Sequence, residues 1–96
     1  MKRLVIALVA SAVLLTGCSE STDGAELYRK YCAACHGSDL SGGVGSSLLA
    51  DGQAAAASDA AYRAVIREGT TGMPATRLDE LRIDAVIAFV RQVQGE

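Results

Sequence analysis

The 96-residue sequence holds one histidine, one proline, one phenylalanine and no tryptophan. A single histidine excludes any site that needs two imidazoles from one chain. No stretch alternates apolar and polar residues over a useful length, so no strand is predicted and the fold class is all-α. Basic residues are scarce too: nine Lys and Arg stand against eleven Asp and Glu, for a formal charge of −2, and such a chain is a poor partner for nucleic acid. Two domains are excluded by length, because one domain usually takes about 100 residues or more.

What the chain does have is a nearly continuous apolar run, Leu4 to Leu15 (LVIALVASAVLL), behind Met1, Lys2 and Arg3. A basic start, a short apolar stretch and a small-residue site are the parts of a secretory signal, and the run is shorter than the ~20 residues of a bilayer span. Leu15-Thr16-Gly17-Cys18 resembles the lipobox of bacterial lipoproteins, in which the cysteine is alkylated with diacylglycerol and becomes the new N-terminus. Residues 1–17 are therefore expected to be a cleaved signal peptide, residues 18–23 a lipidated N-terminus and short tether, and residues 24–96 the folded domain. The alternative is an ordinary signal with Cys18 as a free thiol. Ser19 resembles the outer-membrane sorting pattern of such lipoproteins. The expected location is outside the cytoplasmic membrane, facing the periplasm or the cell exterior.

Processing removes two basic and no acidic residues, leaving a charge of −4 on 79 residues, and of the remaining apolar residues only 19 are neither alanine nor cysteine. A core that thin is marginal without a staple or a bound group.

Three cysteines is an odd number, and an unpaired thiol in an oxidising compartment needs an explanation. With Cys18 given to lipid, two remain, in Cys32-Ala33-Ala34-Cys35-His36. This is the C-x-x-C-H signature of covalent c-type haem attachment. On a helix over residues 25–35, thiols at i and i+3 share a face and reach the two vinyl groups of one porphyrin, while the adjacent imidazole is a good iron ligand. Three other readings compete: a thioredoxin-like dithiol, which normally sits near a βαβ pattern absent here; a zinc site, which wants four ligands where this segment offers three; and a plain Cys32–Cys35 disulfide.

Ala25 to Gly37 (AELYRKYCAACHG) resembles the first helix and haem motif of a small class I c-type cytochrome in lipoprotein form, and the resemblance covers nearly all of the domain. It implies an all-α bundle of about three to four short helices around one covalently bound haem c, with thioether bonds from Cys32 and Cys35 and His36 as the proximal iron ligand. With no second histidine, the second axial ligand is expected to be Met73, the one methionine left after processing. Its segment, Gly72-Met73-Pro74-Ala75, is similar to the family's sixth-ligand loop, and Pro74 fixes the backbone beside it. Lys30 is the other conceivable donor, on the proximal helix and expected to face solvent. Where the family usually has Gly-Pro-x-Leu, whose carbonyl orients the proximal imidazole, this chain reads Gly45-Ser46-Ser47-Leu48, so the missing proline leaves that contact to the Ser46 carbonyl.

Asp23 and Glu26 have the spacing of a capping box, with Leu27, Tyr28 and Tyr31 expected to face the core. The Gly- and Ser-rich stretch from Gly37 to Gly52 reads as loop, with Leu48 and Leu49 packing on the porphyrin. Residues 53–57 read as a linker or a frayed turn. Ser58 is expected to cap a helix through Glu68, stopped by Gly69, with Ala61, Tyr62, Val65 and Ile66 at helical spacing. Asp79 is expected to cap a last helix with the stripe Ile83, Val86, Ile87, Val90 and Val93, and Phe89 beside it.

An iron with both axial positions filled exchanges electrons and has no open site for substrate. The expected function is a membrane-tethered one-electron carrier, not an enzyme. Its redox protein partners are expected at an edge formed by Ala33, Ala34, Pro74 and Ala75 among Arg29, Lys30 and Arg77. The alternatives are a haem-based small-ligand binder or sensor, which needs Met73 displaced, and a fixed haem subunit of a larger oxidase or dehydrogenase.

Overall fold

The computed structural model describes residues 20–95. The expected signal peptide and the expected lipidation site at Cys18 lie outside the described residues. Within them the order is α1 (Gly24–Tyr31), α2 (Ala33–His36), a 3₁₀ turn (Gln53–Ala56), α3 (Asp59–Glu68) and α4 (Glu80–Val93). Among the described residues the only bridge of β type is an isolated one between Thr70 and Met73. The fold is all-α with four short helices, as the sequence implies. No helix among the described residues is long and apolar enough to cross a membrane.

The Asp23 carboxylate caps α1 by accepting from Ala25 N–H at 2.9 Å. Glu26 does not close the capping box directly. Asp23 N–H donates to Ser21 Oγ at 3.0 Å and the Ser21 hydroxyl donates to Glu26 at 2.9 Å, so the serine stands between the two groups and relays the contact. The helix expected to run through Cys35 stops at Tyr31. Cys32 has φ −122° and ψ −33°, and its carbonyl takes both Cys35 N–H at 3.2 Å and His36 N–H at 3.0 Å, a tighter turn that separates the two cysteines into different surroundings.

Helices α1 and α4 form the centre of the core. Leu27 and Tyr28 on α1 and Ile83, Val86, Ile87 and Val90 on α4 are buried, and the Tyr28 and Phe89 rings meet at 5.5 Å between centroids. Gly24 sits where α1 comes closest to α4: a Cβ there would lie 2.2 Å from the Ala85 carbonyl oxygen and 3.0 Å from Phe89 Cβ. Tyr31 and Val93, both expected in the core, are 39% and 41% exposed. Val93 is in the last turn of α4, which at fourteen residues outruns the eight-residue α1. Ala61 is likewise exposed, on the outer face of α3.

Helix α3 starts and stops where expected. Ser58 Oγ accepts from Ala61 N–H at 3.1 Å, and Gly69, with φ 78°, ends the helix. Arg91 of α4 reaches across to this region. Its guanidinium donates to Asp59 at 2.8 Å and to the Ala55 carbonyl at 3.0 Å, and lies 4.4 Å over the Tyr62 ring, tying the 3₁₀ turn and the start of α3 to the end of α4.

Candidate cofactor site

The helices surround a cavity of about 470 Å³, within the range of small-molecule and cofactor pockets. Its walls are largely apolar, with Val86, Ile87 and Val90 from α4, Val65 and Ile66 from α3 and Leu48 from the long loop. Leu49, expected beside Leu48, packs against the core instead. Cys32, Cys35, His36 and Met73 all line this one cavity. Three of them arrive together at the α1–α2 corner; Met73 comes from the loop after α3.

His36 is 9% exposed, and its Nδ1 lies 2.8 Å from the Ser46 carbonyl oxygen. A carbonyl only accepts, so Nδ1–H is the donor and Nε2 keeps its lone pair for a metal. The contact that the missing proline leaves to Ser46 is therefore made. What replaces the proline's rigidity is a set of backbone hydrogen bonds that fold the loop onto the haem motif. Gly42 N–H donates to the His36 carbonyl and Gly45 N–H to the Cys35 carbonyl, both at 2.7 Å. Gly45 runs so close to the imidazole that a Cβ would stand 2.9 Å from His36 Cε1. Leu40, 2% exposed, holds φ 67° in this loop, a conformation that a leucine adopts only when its surroundings enforce it.

Tyr28 is a positioning residue beyond its expected role in the core. Its hydroxyl donates to the Gly37 carbonyl at 2.7 Å, which holds the backbone directly after His36. Burial, with smaller contributions from Cys32 and Asp39, pushes its pKa up to about 12, so it remains a protonated donor. The sequence signal was available: a buried tyrosine, unlike a phenylalanine, usually has a partner for its hydroxyl.

Burial pushes the Cys32 thiol up to about 11, while Cys35 is exposed. Both are free thiols, and the two are not joined as a disulfide. Among the described residues no three His, Cys, Asp or Glu side chains gather as a metal-ion cluster, which leaves the zinc reading without its ligands. Met73 is presented by a compact turn in which Thr70 and Met73 exchange two backbone hydrogen bonds of 2.9 Å. Thr76 pins the far side of that turn, its N–H and Oγ–H both donating to the Ile66 carbonyl at 2.9 and 3.1 Å. Lys30 points away into an ion pair with Glu20 at 2.8 Å, consistent with the solvent-facing position expected of it.

An imidazole bonded to Ser46 through Nδ1, a soft thioether and two thiols around an apolar cavity fit a haem held through its iron and its vinyl groups. Comparison with known proteins agrees with that chemistry. Residues 19–90 match the family described as cytochrome c oxidase, cbb3-type, subunit III. The chain is also similar to a Pseudomonas aeruginosa protein named dihydro-heme d1 dehydrogenase, 30% identical over 96 residues, with 93% of this chain and 18% of that protein covered. It thus spans less than a fifth of that relative's length. With three quarters of its sequence matched and the haem motif walling an apolar cavity in a helical fold, the chain belongs to this family and is a small c-type cytochrome, an electron-transfer haem protein.

Proposed function

We propose that the mature chain, residues 18–96, is a membrane-tethered one-electron carrier working outside the cytoplasmic membrane. In this reading it carries a single haem joined to Cys32 and Cys35, its iron held between His36 and Met73, and Cys18 bears the lipid anchor. The observation that carries the reading is the His36 imidazole, oriented by its Nδ1–H bond to the Ser46 carbonyl in the same cavity wall as both thiols and Met73. When bound, haem supplies a one-electron iron couple.

The chain's own residues account for the rest. Ser46, Gly45 and Tyr28 hold His36 in one tautomer and orientation. The Thr70–Met73 turn offers a thioether, which together with apolar walls disfavours the extra positive charge of the oxidised state and raises the potential. Val65, Ile66, Val86, Ile87 and Val90 keep water from the iron. Among the described residues the cavity wall carries no imidazole besides His36, so no distal histidine of peroxidase type stands among them. Ala34, Pro74 and Ala75 are exposed, with Arg29, Lys30 and Arg77 also at the surface, and make up the proposed edge for redox partners; Ala33, expected in the same edge, is half-buried against the core.

Reduced protein lacking the Met73 thioether should bind carbon monoxide rapidly and lose the sulfur-to-iron charge-transfer band, whereas the wild type should keep the band and bind slowly. Rapid and complete carbon monoxide binding by the wild type at neutral pH would favour the ligand-sensor alternative. A haemochrome spectrum and an intact mass should show one covalent haem together with acyl chains. A second reading, a fixed haem subunit or domain serving a larger oxidoreductase, is favoured by the family's oxidase-subunit description and by the dehydrogenase name of the longer relative. Size-exclusion of the detergent-solubilised native protein distinguishes a free carrier from a permanent subunit.

A further inference from the structure

Glu20 and Ser21 precede the first helix, yet side chains from two elements hold them. At the end of α1, Lys30 Nζ and the Tyr31 hydroxyl donate to the Glu20 carboxylate at 2.8 and 2.7 Å. From the first turn of α4, the Arg82 guanidinium donates to the Glu20 carbonyl at 2.7 Å and to the Ser21 carbonyl at 3.2 Å, while a third of its nitrogens bonds Asp79 at 2.7 Å. The segment also feeds the cap of α1 through Ser21. Nothing in the cofactor site requires these bonds. Their common effect is to remove slack from the chain between the domain and residue 18.

We infer that Lys30, Tyr31 and Arg82 form an orientation clamp on the tether, so that the domain rides the lipid surface with the α1 C-terminal and α4 N-terminal end facing the membrane. The inference rests on the proposed lipidation of Cys18. Glu20 is two residue steps from Cys18, a reach of about 7 Å at full extension. A domain of this size has a radius of about 14 Å, and a leash of half that radius confines its tilt to roughly 60° about the attachment point. Without the clamp, release of only four more residues would lengthen the leash to about 21 Å and open the range to roughly 120°. Leu81, next to Arg82, is 64% exposed, an apolar side chain at the end that would meet the lipid. Because Tyr31 both bonds Glu20 and lines the cavity, the clamp keeps one wall of the haem site near the membrane, where a partner held in the same membrane meets it.

The test uses the lipidated holoprotein in vesicles of phosphatidylethanolamine and phosphatidylglycerol carrying a photoactivatable headgroup, with cross-links mapped by peptide mass spectrometry. Cross-links should concentrate on residues 20–23, 30–31 and 80–82 and spare the 3₁₀ turn and residues 91–95, at the other end of α4. In Lys30→Ala/Arg82→Ala, cross-linking at the 3₁₀ turn should rise at least threefold. A second variant, with Gly-Ser-Gly-Ser inserted between Ser19 and Glu20, leaves every residue of the domain intact and should show the same rise. Cross-links spread evenly in the wild type, or a pattern that neither variant changes, would overturn the clamp while leaving lipidation standing. Loss of the protein from washed vesicles, with no acyl mass on Cys18, would instead remove the anchoring itself, and the clamp with it.

Discussion

Replacing Gly24 with alanine sets two physical effects against each other. Helix propensity favours alanine over glycine by up to about 1 kcal/mol in a helix interior and by less in a first turn. Packing opposes it. The added Cβ would sit 2.2 Å from the Ala85 carbonyl oxygen, 2.9 Å from the Ala85 carbonyl carbon and 3.0 Å from Phe89 Cβ. Since carbon and oxygen approach no closer than about 3.3 Å in even a favourable C–H···O contact, α1 and α4 must separate locally by about 1 Å. The obstacle is main chain, so no rotamer change relieves it. Overpacking of this kind costs about 1–3 kcal/mol, and the separation also loosens the Tyr28–Phe89 contact. The net expectation is a loss of about 2 kcal/mol, or roughly 8–16 °C in Tm for a domain of this size. Thermal unfolding of the holoprotein, followed by far-ultraviolet circular dichroism and by the haem band, measures it. Ala25→Gly is the control, since it lowers propensity at the next position and adds no atom, and it should cost about 0.5–1 kcal/mol or less. A Gly24→Ala protein as stable as the wild type, or more so, would refute the close-packing argument.

Leu40 is both buried and left-handed, so Leu40→Gly should be less destabilising than Leu40→Ala by about 1 kcal/mol, because both lose the side chain and only glycine relieves the backbone; denaturant midpoints of the two variants check the order. Gly45→Ala should force the imidazole off the Ser46 carbonyl, given the 2.9 Å that a Cβ would leave to His36 Cε1, and should appear as a shifted midpoint potential and faster carbon monoxide binding in the reduced protein. Hydrogen bonds from Lys30 and Tyr31, with the Lys30 and Arg82 charges, hold the Glu20 carboxyl below its usual value of 4.5. Its contribution is therefore present above that value and lost as pH falls through the lowered one. Glu20→Gln should flatten the acid limb of a stability-versus-pH curve below about 4.5 and leave the curve above pH 6 parallel to that of the wild type.

Much of the site could be read directly because its chemistry lies in short segments. Cys32, Cys35 and His36 are nearly adjacent, and Met73 followed from the shortage of other donors. The helix caps at Asp23, Ser58 and Asp79 were legible for the same reason, since a cap satisfies N–H groups two or three residues away. Less was visible where a residue's role depends on a distant segment. Tyr28 looked like ordinary core, and its bond to the Gly37 carbonyl needs the loop folded back over α1. Gly24 carries no signal of its own beside the Asp23–Glu26 capping spacing, and its importance comes from Ala85, on another helix. Tyr31 and Val93 fitted their stripes by spacing, yet spacing does not say where the facing helix ends.

Taken alone, the order of amino acids determined the all-α class, the caps and the haem motif, because each depends on residue type and on neighbours within a few positions, and it pointed to Met73 as the expected second ligand. Tertiary structure decided the break at Cys32, the backbone bonds from Gly42 and Gly45 that hold the Ser46 loop against His36, the close approaches at Gly24 and Gly45, and the bonds that hold Glu20. Each of these is a distance between segments far apart in the chain, and such distances exist only once α1, α4 and the loop after the haem motif have packed together.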